Sequence, residues 1–197
     1  MINYIESFTL NYHHNYFKFD RNFYEDPKKN ILTFPGDFYH YQSVIIWKYN
    51  NRKYMYSTEL VGHMPCPDFN GIAFISRVDK TKLIICNPDA SERFILSPPD
   101  FLQKEEYEKR DFGIHFFRFS AIFERFDHYF EYNGKKYLTV KISLYENESC
   151  LFGISQLRYL DVESGDFLPF TKTIFTTTMD FESGNPHAAP VEKKIDL

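Results

Sequence analysis

Cysteine is scarce in this sequence, and its scarcity excludes several kinds of site. The three cysteines among 197 residues are Cys66, Cys86 and Cys150, widely spaced and with no Cys-x-x-Cys pair. A zinc ribbon needs such pairs, and a disulfide scaffold needs a dense, even set of cysteines in a small chain. We therefore expect reduced, buried thiols and no disulfide framework.

Long apolar runs and basic clusters are missing too. No stretch approaches the roughly 18 apolar residues of a membrane-spanning helix, and the N-terminal segment lacks the basic and apolar parts of a secretory signal. Lys and Arg number 23 against 27 Asp and Glu, a net charge of −4, and no cluster of cations is placed to neutralise phosphates. These features predict a cytoplasmic protein with neither a membrane nor a nucleic-acid partner.

Short catalytic signatures and domain linkers are likewise absent. The sequence contains none of the motifs GxGxxG, GxxxxGK[ST], HExxH or GxSxG. The enzyme families that these motifs define gain no support, and no cofactor is expected. There is also no repeat of fixed period and no Gly/Ser-rich linker. We expect one β-rich domain over residues 1–182 and a C-terminal tail over residues 183–197.

Aromatic residues, by contrast, are abundant. They make up 19% of the chain, as 22 Phe, 15 Tyr and a single Trp. Phe and Tyr favour strands over helices, and several segments alternate between apolar and polar positions with the period of two that marks a strand. The pattern predicts a mainly β fold: an antiparallel β-sandwich or a curled barrel-like sheet, with one or two short helices. The clearest inward row is Leu138, Val140, Ile142 and Leu144.

Two hairpins are marked by their turns. Asn50-Asn51 separates two strand-like segments, and Asn133-Gly134 separates two more. Asn and Gly tolerate positive φ, so both pairs suit the two-residue turns that connect antiparallel strands. The expected registers place Trp47 opposite Tyr54, Phe130 opposite Tyr137 and Glu131 opposite Lys136.

Three further segments carry local signals. Prolines at positions 65 and 67 predict an irregular loop over residues 62–71. Ser97-Pro98 is typical of a helix start, and we expect a short surface helix from there to Arg110. Alternation over residues 114–126 predicts a strand, with one face formed by Phe117, Phe119, Ala121 and Phe123.

The best contiguous aromatic patch follows from the first hairpin. Its members are Tyr39, Tyr41 and Trp47 on one strand and Tyr54 and Tyr56 on the next. If this face packs against another sheet, the rings are core and need no further explanation. If it is exposed, it marks a binding site for a partner or ligand.

Two smaller groups could carry chemistry. His115, Asp127, His128 and Glu131, with Tyr137 as a proton donor, could form an acid–base site if folding brings them together. The segment His-x-x-Cys-x-Asp contains His63, Cys66 and Asp68, which are weak candidates for metal ligands because no fourth partner is marked. The sequence predicts no metal site beyond that candidate.

These observations favour a non-catalytic binding protein. Its partner would be another protein, as for accessory, inhibitor or immunity-type proteins, held by the aromatic-rich sheet face; a small apolar ligand is the other option. One alternative is an enzyme with a His/Asp/Glu site at the mouth of a β-barrel. Another is a carrier whose cavity is lined by Phe117, Phe119, Phe123 and Val140. The oligomeric state is left open.

Overall fold

The computed structural model describes residues 1–10, 16–20, 42–58, 62–76, 79–102, 120–146 and 149–175. These residues form twelve strands in three antiparallel sheets, with a short 3-10 turn at Pro67–Phe69. The mainly β, antiparallel prediction is therefore confirmed. The strands are β1 Tyr4–Leu10, β2 Tyr16–Asp20, β3 Gln42–Tyr49, β4 Arg52–Thr58, β5 Gly62–Pro65, β6 Ile72–Ile75, β7 Leu83–Cys86, β8 Glu92–Leu96, β9 Ser120–Tyr132, β10 Lys135–Glu146, β11 Ser149–Leu160 and β12 Phe167–Phe175.

The three sheets each contain four strands and close no barrel within the described ranges. The first sheet has the order β2-β1-β3-β4, the middle sheet β5-β6-β7-β8, and the third sheet β12-β11-β10-β9. Since each order has two ends, the sandwich prediction fits and the barrel prediction does not. No described helix is long and apolar enough to cross a membrane.

Both predicted hairpins form with the predicted registers. Asn50 and Asn51 adopt positive φ angles of 47° and 61°, and Trp47 pairs with Tyr54. Asn133 and Gly134 form the second turn with φ angles of 51° and 73°. In the two strands that this turn connects, Phe130 pairs with Tyr137 and Glu131 with Lys136.

The middle sheet is buried on both faces. All four residues of β6 are buried, and their side chains alternate between two separate cores. Ala73 and Ile75 point toward the third sheet, whereas Ile72 and Phe74 point toward the first sheet. This explains why β6 and β7 read as continuous apolar runs rather than as alternating ones.

The larger core lies between the middle and third sheets. The predicted inward row of Leu138, Val140, Ile142 and Leu144 is buried here beside Phe123. The smaller core joins the first sheet to the middle one through Ile5, Ile45, Trp47, Phe74 and Cys86. The chain therefore stacks its sheets in three layers, with the middle sheet shared by both cores.

Two local predictions are corrected or fall outside the described residues. The loop over residues 62–71 was wrong at its start, because residues 62–65 form β5 and pair with β6. Pro65 is tolerated because it ends an edge strand, where no ladder hydrogen bond is lost. Residues 97–102 of the predicted helix are not helical, and the rest of it lies outside the described residues, as do Phe117 and Phe119.

Candidate functional site

The predicted aromatic patch is mostly core. Trp47 is 1% exposed, stacks on Tyr54 with ring centroids 5.5 Å apart, and donates an Nε1 hydrogen bond of 2.7 Å to the Pro88 carbonyl in the middle sheet. This face is occupied by the neighbouring sheet, so Trp47 belongs to the core, the first of the two alternatives that the sequence left open. Tyr39 and Tyr41 lie outside the described residues.

What remains accessible of that patch is the outer margin of β4. Tyr56 is 41% exposed and Met55 is 64% exposed. The Tyr56 ring packs at 4.9 Å on Phe74 of β6, which fixes its position. β4 is the last strand of its sheet and pairs only with β3 among the described residues. We call this strand margin, with Met55 and Tyr56, the β4 edge.

A second aromatic surface lies on the outer face of the third sheet, turned away from the core. It consists of four rings, Phe130, Tyr132, Tyr159 and Phe170, which we call the ring cluster. Phe130 stacks on Tyr159 with centroids 4.0 Å apart. Phe170 meets Tyr159 at 5.6 Å and Tyr132 at 5.2 Å. The cluster thus joins three strands into one continuous aromatic surface.

Strand pairing explains how these rings meet. Phe130 and Tyr132 are two residues apart on β9 and share a face by parity. Tyr159 of β11 pairs with Thr139 of β10. Thr139 lies two residues from Tyr137, which pairs with Phe130, so Tyr159 lies on the same face as Phe130. Tyr132 is 43% exposed, whereas Tyr159 is 7% exposed. The cluster therefore has a buried base and an accessible rim.

A β-bulge in β9 borders the ring cluster. The pairing with β10 shifts between Tyr129 and Phe126, so that Asp127 and His128 both lie opposite Thr139. His128 Nδ1 lies 3.3 Å from Asp127 Oδ1. Burial raises the pKa of the Tyr159 hydroxyl, and the Asp127 charge raises it further. That coupling shows that a carboxylate flanks the rings.

The predicted acid–base residues do not converge. Glu131 pairs with Lys136 on one face of the hairpin, whereas Tyr137 lies on the other face with Phe130. Asp127 and His128 are mainly exposed side by side on the bulge. His115 lies outside the described residues. The described members therefore spread over both faces of the sheet, which does not favour the enzyme hypothesis.

One polar cavity of about 270 Å³ lies where three turns meet, at residues 67–70, 134–136 and 162–163. None of the predicted acid–base residues lines it. Lys135 Nζ at its wall is held 2.8 Å from Asp161 and 2.9 Å from Glu163. Hydrogen bonds to Asp161 and Glu163 raise the pKa of Lys135. These charges join two turns of the third sheet and so have a structural role.

The candidate metal ligands are not brought together. Cys66 is fully buried in the larger core, whereas Asp68 is exposed on the neighbouring turn. Burial raises the pKa of the Cys66 thiol to about 12. No group of His, Cys, Asp and Glu in the described part of the chain could hold a metal ion. His63, Cys66 and Asp68 are therefore not brought together as a set of metal ligands in the described part of the chain.

Sequence reasoning missed the ring cluster. The second hairpin alone indicates that Phe130 shares a face with Tyr137. The cluster also needs the pairing of β11 with β10 and of β12 with β11, which bring Tyr159 and Phe170 alongside. Those pairings are not marked by a short turn of the Asn-Gly type. The alternation of side chains along β9 was the one available signal, and it places only Phe130 and Tyr132 on a common face.

The geometry must also be set against known proteins. No protein-family model, no curated protein and no solved structure matches this chain.

Proposed function

We propose that this chain is a non-catalytic binding protein of the accessory, inhibitor or immunity type, and that it engages a protein partner through the ring cluster. One observation carries the proposal: Tyr132 is 43% exposed at the rim of four rings held by mutual stacking. Tyrosine rings that are fixed before binding lose little conformational entropy in a complex, which is why they dominate binding hot spots.

The base of the cluster supports a recognition role. Phe130 contacts both Tyr132 and Tyr159, with centroids 6.3 Å and 4.0 Å away, so the exposed rim rests on a buried ring. An anchor side chain from a partner would then meet a rigid surface rather than a mobile one. Rigid, partly desolvated contacts are those whose loss costs the most binding energy.

The charge beside the rings points to the chemistry of the partner. Asp127 is exposed on the bulge and acts electrostatically on Tyr159. A partner that presents a guanidinium group to this carboxylate and apolar side chains to the rim would engage both parts of the surface. The chain also carries a net charge of −4. The proposed partner is therefore a protein segment that presents arginine together with apolar side chains.

The proposal is tested by site-specific photo-crosslinking in an extract of the source cells. A benzophenone residue at position 132 should crosslink to one discrete protein. The yield of that crosslink should fall by about tenfold or more in the Asp127→Lys variant. The matched control carries the benzophenone at Ile95, which is 52% exposed in the middle sheet, and should not link that protein.

The purified partner then gives a quantitative measure. Tyr132→Ala should raise the dissociation constant by about tenfold or more, the size expected for a hot-spot ring, while Ile95→Ala should leave it within about twofold. Equal crosslinking at positions 132 and 95, or equal affinities for both alanine variants, would contradict the proposal. A cytoplasmic location stays a prediction from the sequence.

A further inference from the structure

The β4 edge lacks two of the features that keep strand edges from pairing, proline and a bulge, and its two charged residues, Arg52 and Lys53, lie at the end next to the turn. Edge strands are protected by proline, by bulges or by charged residues that interrupt an apolar margin. At the edges of the third sheet, β12 contains Pro169 and β9 is bulged. The middle sheet ends in β5, which contains Pro65, and in β8, which is bulged against β7. β4 contains no proline and pairs with β3 without any shift in register.

The hairpin turn determines which backbone groups face outward. In a two-residue hairpin, the residues that flank the turn form a hydrogen-bonded pair, and such pairs alternate along the ladder. Tyr49 and Arg52 flank this turn, so Arg52, Tyr54, Tyr56 and Thr58 direct their N–H and C=O groups toward β3. The groups of Lys53, Met55 and Ser57 therefore point away from the sheet.

These three residues are spaced symmetrically about Met55, and we propose that β4 pairs with β4 of a second copy of this chain. In an antiparallel pair whose two-fold axis passes through Met55, every outward backbone group finds a partner. Met55 pairs with Met55 of the second copy, and Lys53 pairs with Ser57 in both directions. The two first sheets become one continuous eight-stranded sheet across the dimer.

Side chains in this register are self-complementary. Lys53 pairs with Ser57 and Arg52 pairs with Thr58, so no two residues of like charge are paired. Tyr54 lies opposite Tyr56 on the face toward the middle sheet, which gives two cross-strand aromatic pairs. On the other face, the two Met55 side chains, each 64% exposed in the single chain, cover one another. An unrelated extended peptide would have to supply the same pattern by chance.

The test is a crosslink that forms only in this register. In the full-length chain, Met55→Cys places two thiols on the two-fold axis, with Cα atoms about 5.5 Å apart, within disulfide reach. The matched control, Lys53→Cys, places the two thiols four residues apart along the strands, about 13 Å, which a disulfide cannot span. Mild oxidation should therefore link the first variant rapidly, and peptide mapping should find the bond between the two residues at position 55.

Dimerisation itself is measured by sedimentation of the unmodified chain from about 1 µM to about 1 mM. We expect a concentration-dependent dimer. Its dissociation constant should rise by about tenfold or more in Met55→Lys, because two ammonium groups would then face each other. Position 55 is exposed, so the variant should fold, and circular dichroism checks this. A monomer at every concentration, a dimer insensitive to Met55→Lys, or equal crosslinking of both cysteine variants would overturn the proposal. Capture of an unrelated extended peptide by the β4 edge without self-association would also overturn it.

Discussion

Gly71→Ala should destabilise the protein by about 1–3 kcal/mol or more, the range seen when a side chain is forced into a packed interior. A Cβ atom at position 71 would lie far inside van der Waals contact of the Cys86 carbonyl oxygen and 3.4 Å from Cys66 Sγ. The carbonyl belongs to the backbone of β7 and cannot rotate away. Gly71 also accepts a 2.9 Å hydrogen bond from the Cys66 N–H, so a shift would break a second contact.

The chain offers a matched control at Gly62. The nearest atom to an added Cβ there is a side-chain carbon of Phe126, 3.8 Å away, an ordinary contact distance. Gly62→Ala should therefore change the free energy of unfolding by less than about 0.5 kcal/mol. Urea unfolding of the two variants checks the difference. Equal midpoints would show that β7 does not pass as close to Gly71 as the structure has it.

A charged residue introduced on either face of β6 should destabilise the protein. Ala73 and Phe74 are neighbours in sequence, 0% and 2% exposed, and point into different cores. Ala73→Glu and Phe74→Glu should each cost about 3 kcal/mol or more, because each buries a carboxylate that has no partner. Most strands of a two-layer sandwich would tolerate one of the two changes, since one face meets water.

The comparison variant is Ile95→Glu on β8, whose side chain is 52% exposed. Its free energy of unfolding should lie within about 0.5 kcal/mol of that of the wild-type chain. Thermal unfolding followed by circular dichroism ranks the three variants. A stable Phe74→Glu protein would mean that water reaches the face of the middle sheet that we assign to the smaller core.

The hairpins were predictable because their information is local. Two residues of positive φ, such as Asn50 and Asn51, connect the strands and thereby fix every pair along the ladder. The inward row from Leu138 to Leu144 followed from the same logic, since parity on a paired strand groups side chains by face.

Whether each face of a sheet is buried or exposed to water was not predictable in this way. Parity groups Trp47 with Tyr54, but it does not say whether water or a third sheet lies above them. That depends on Ile72 and Phe74, which come from a strand 18 to 27 positions further along the chain. The sequence identified the paired rings of Trp47 and Tyr54 and left open whether they are core or a binding surface. The ring cluster on the third sheet was missed because it also depends on non-local pairing.

The choice of the ring cluster over the first-sheet patch depends on the Trp47 face being filled by the middle sheet, and a single fluorophore tests this directly. Trp47 is the one tryptophan of the chain and is 1% exposed. Its emission in the native protein should be blue-shifted and resistant to acrylamide quenching, and both properties should be lost together in urea. Native emission at the wavelength of a hydrated indole, with free quenching by acrylamide, would contradict the three-layer packing and return the aromatic surface to the first sheet.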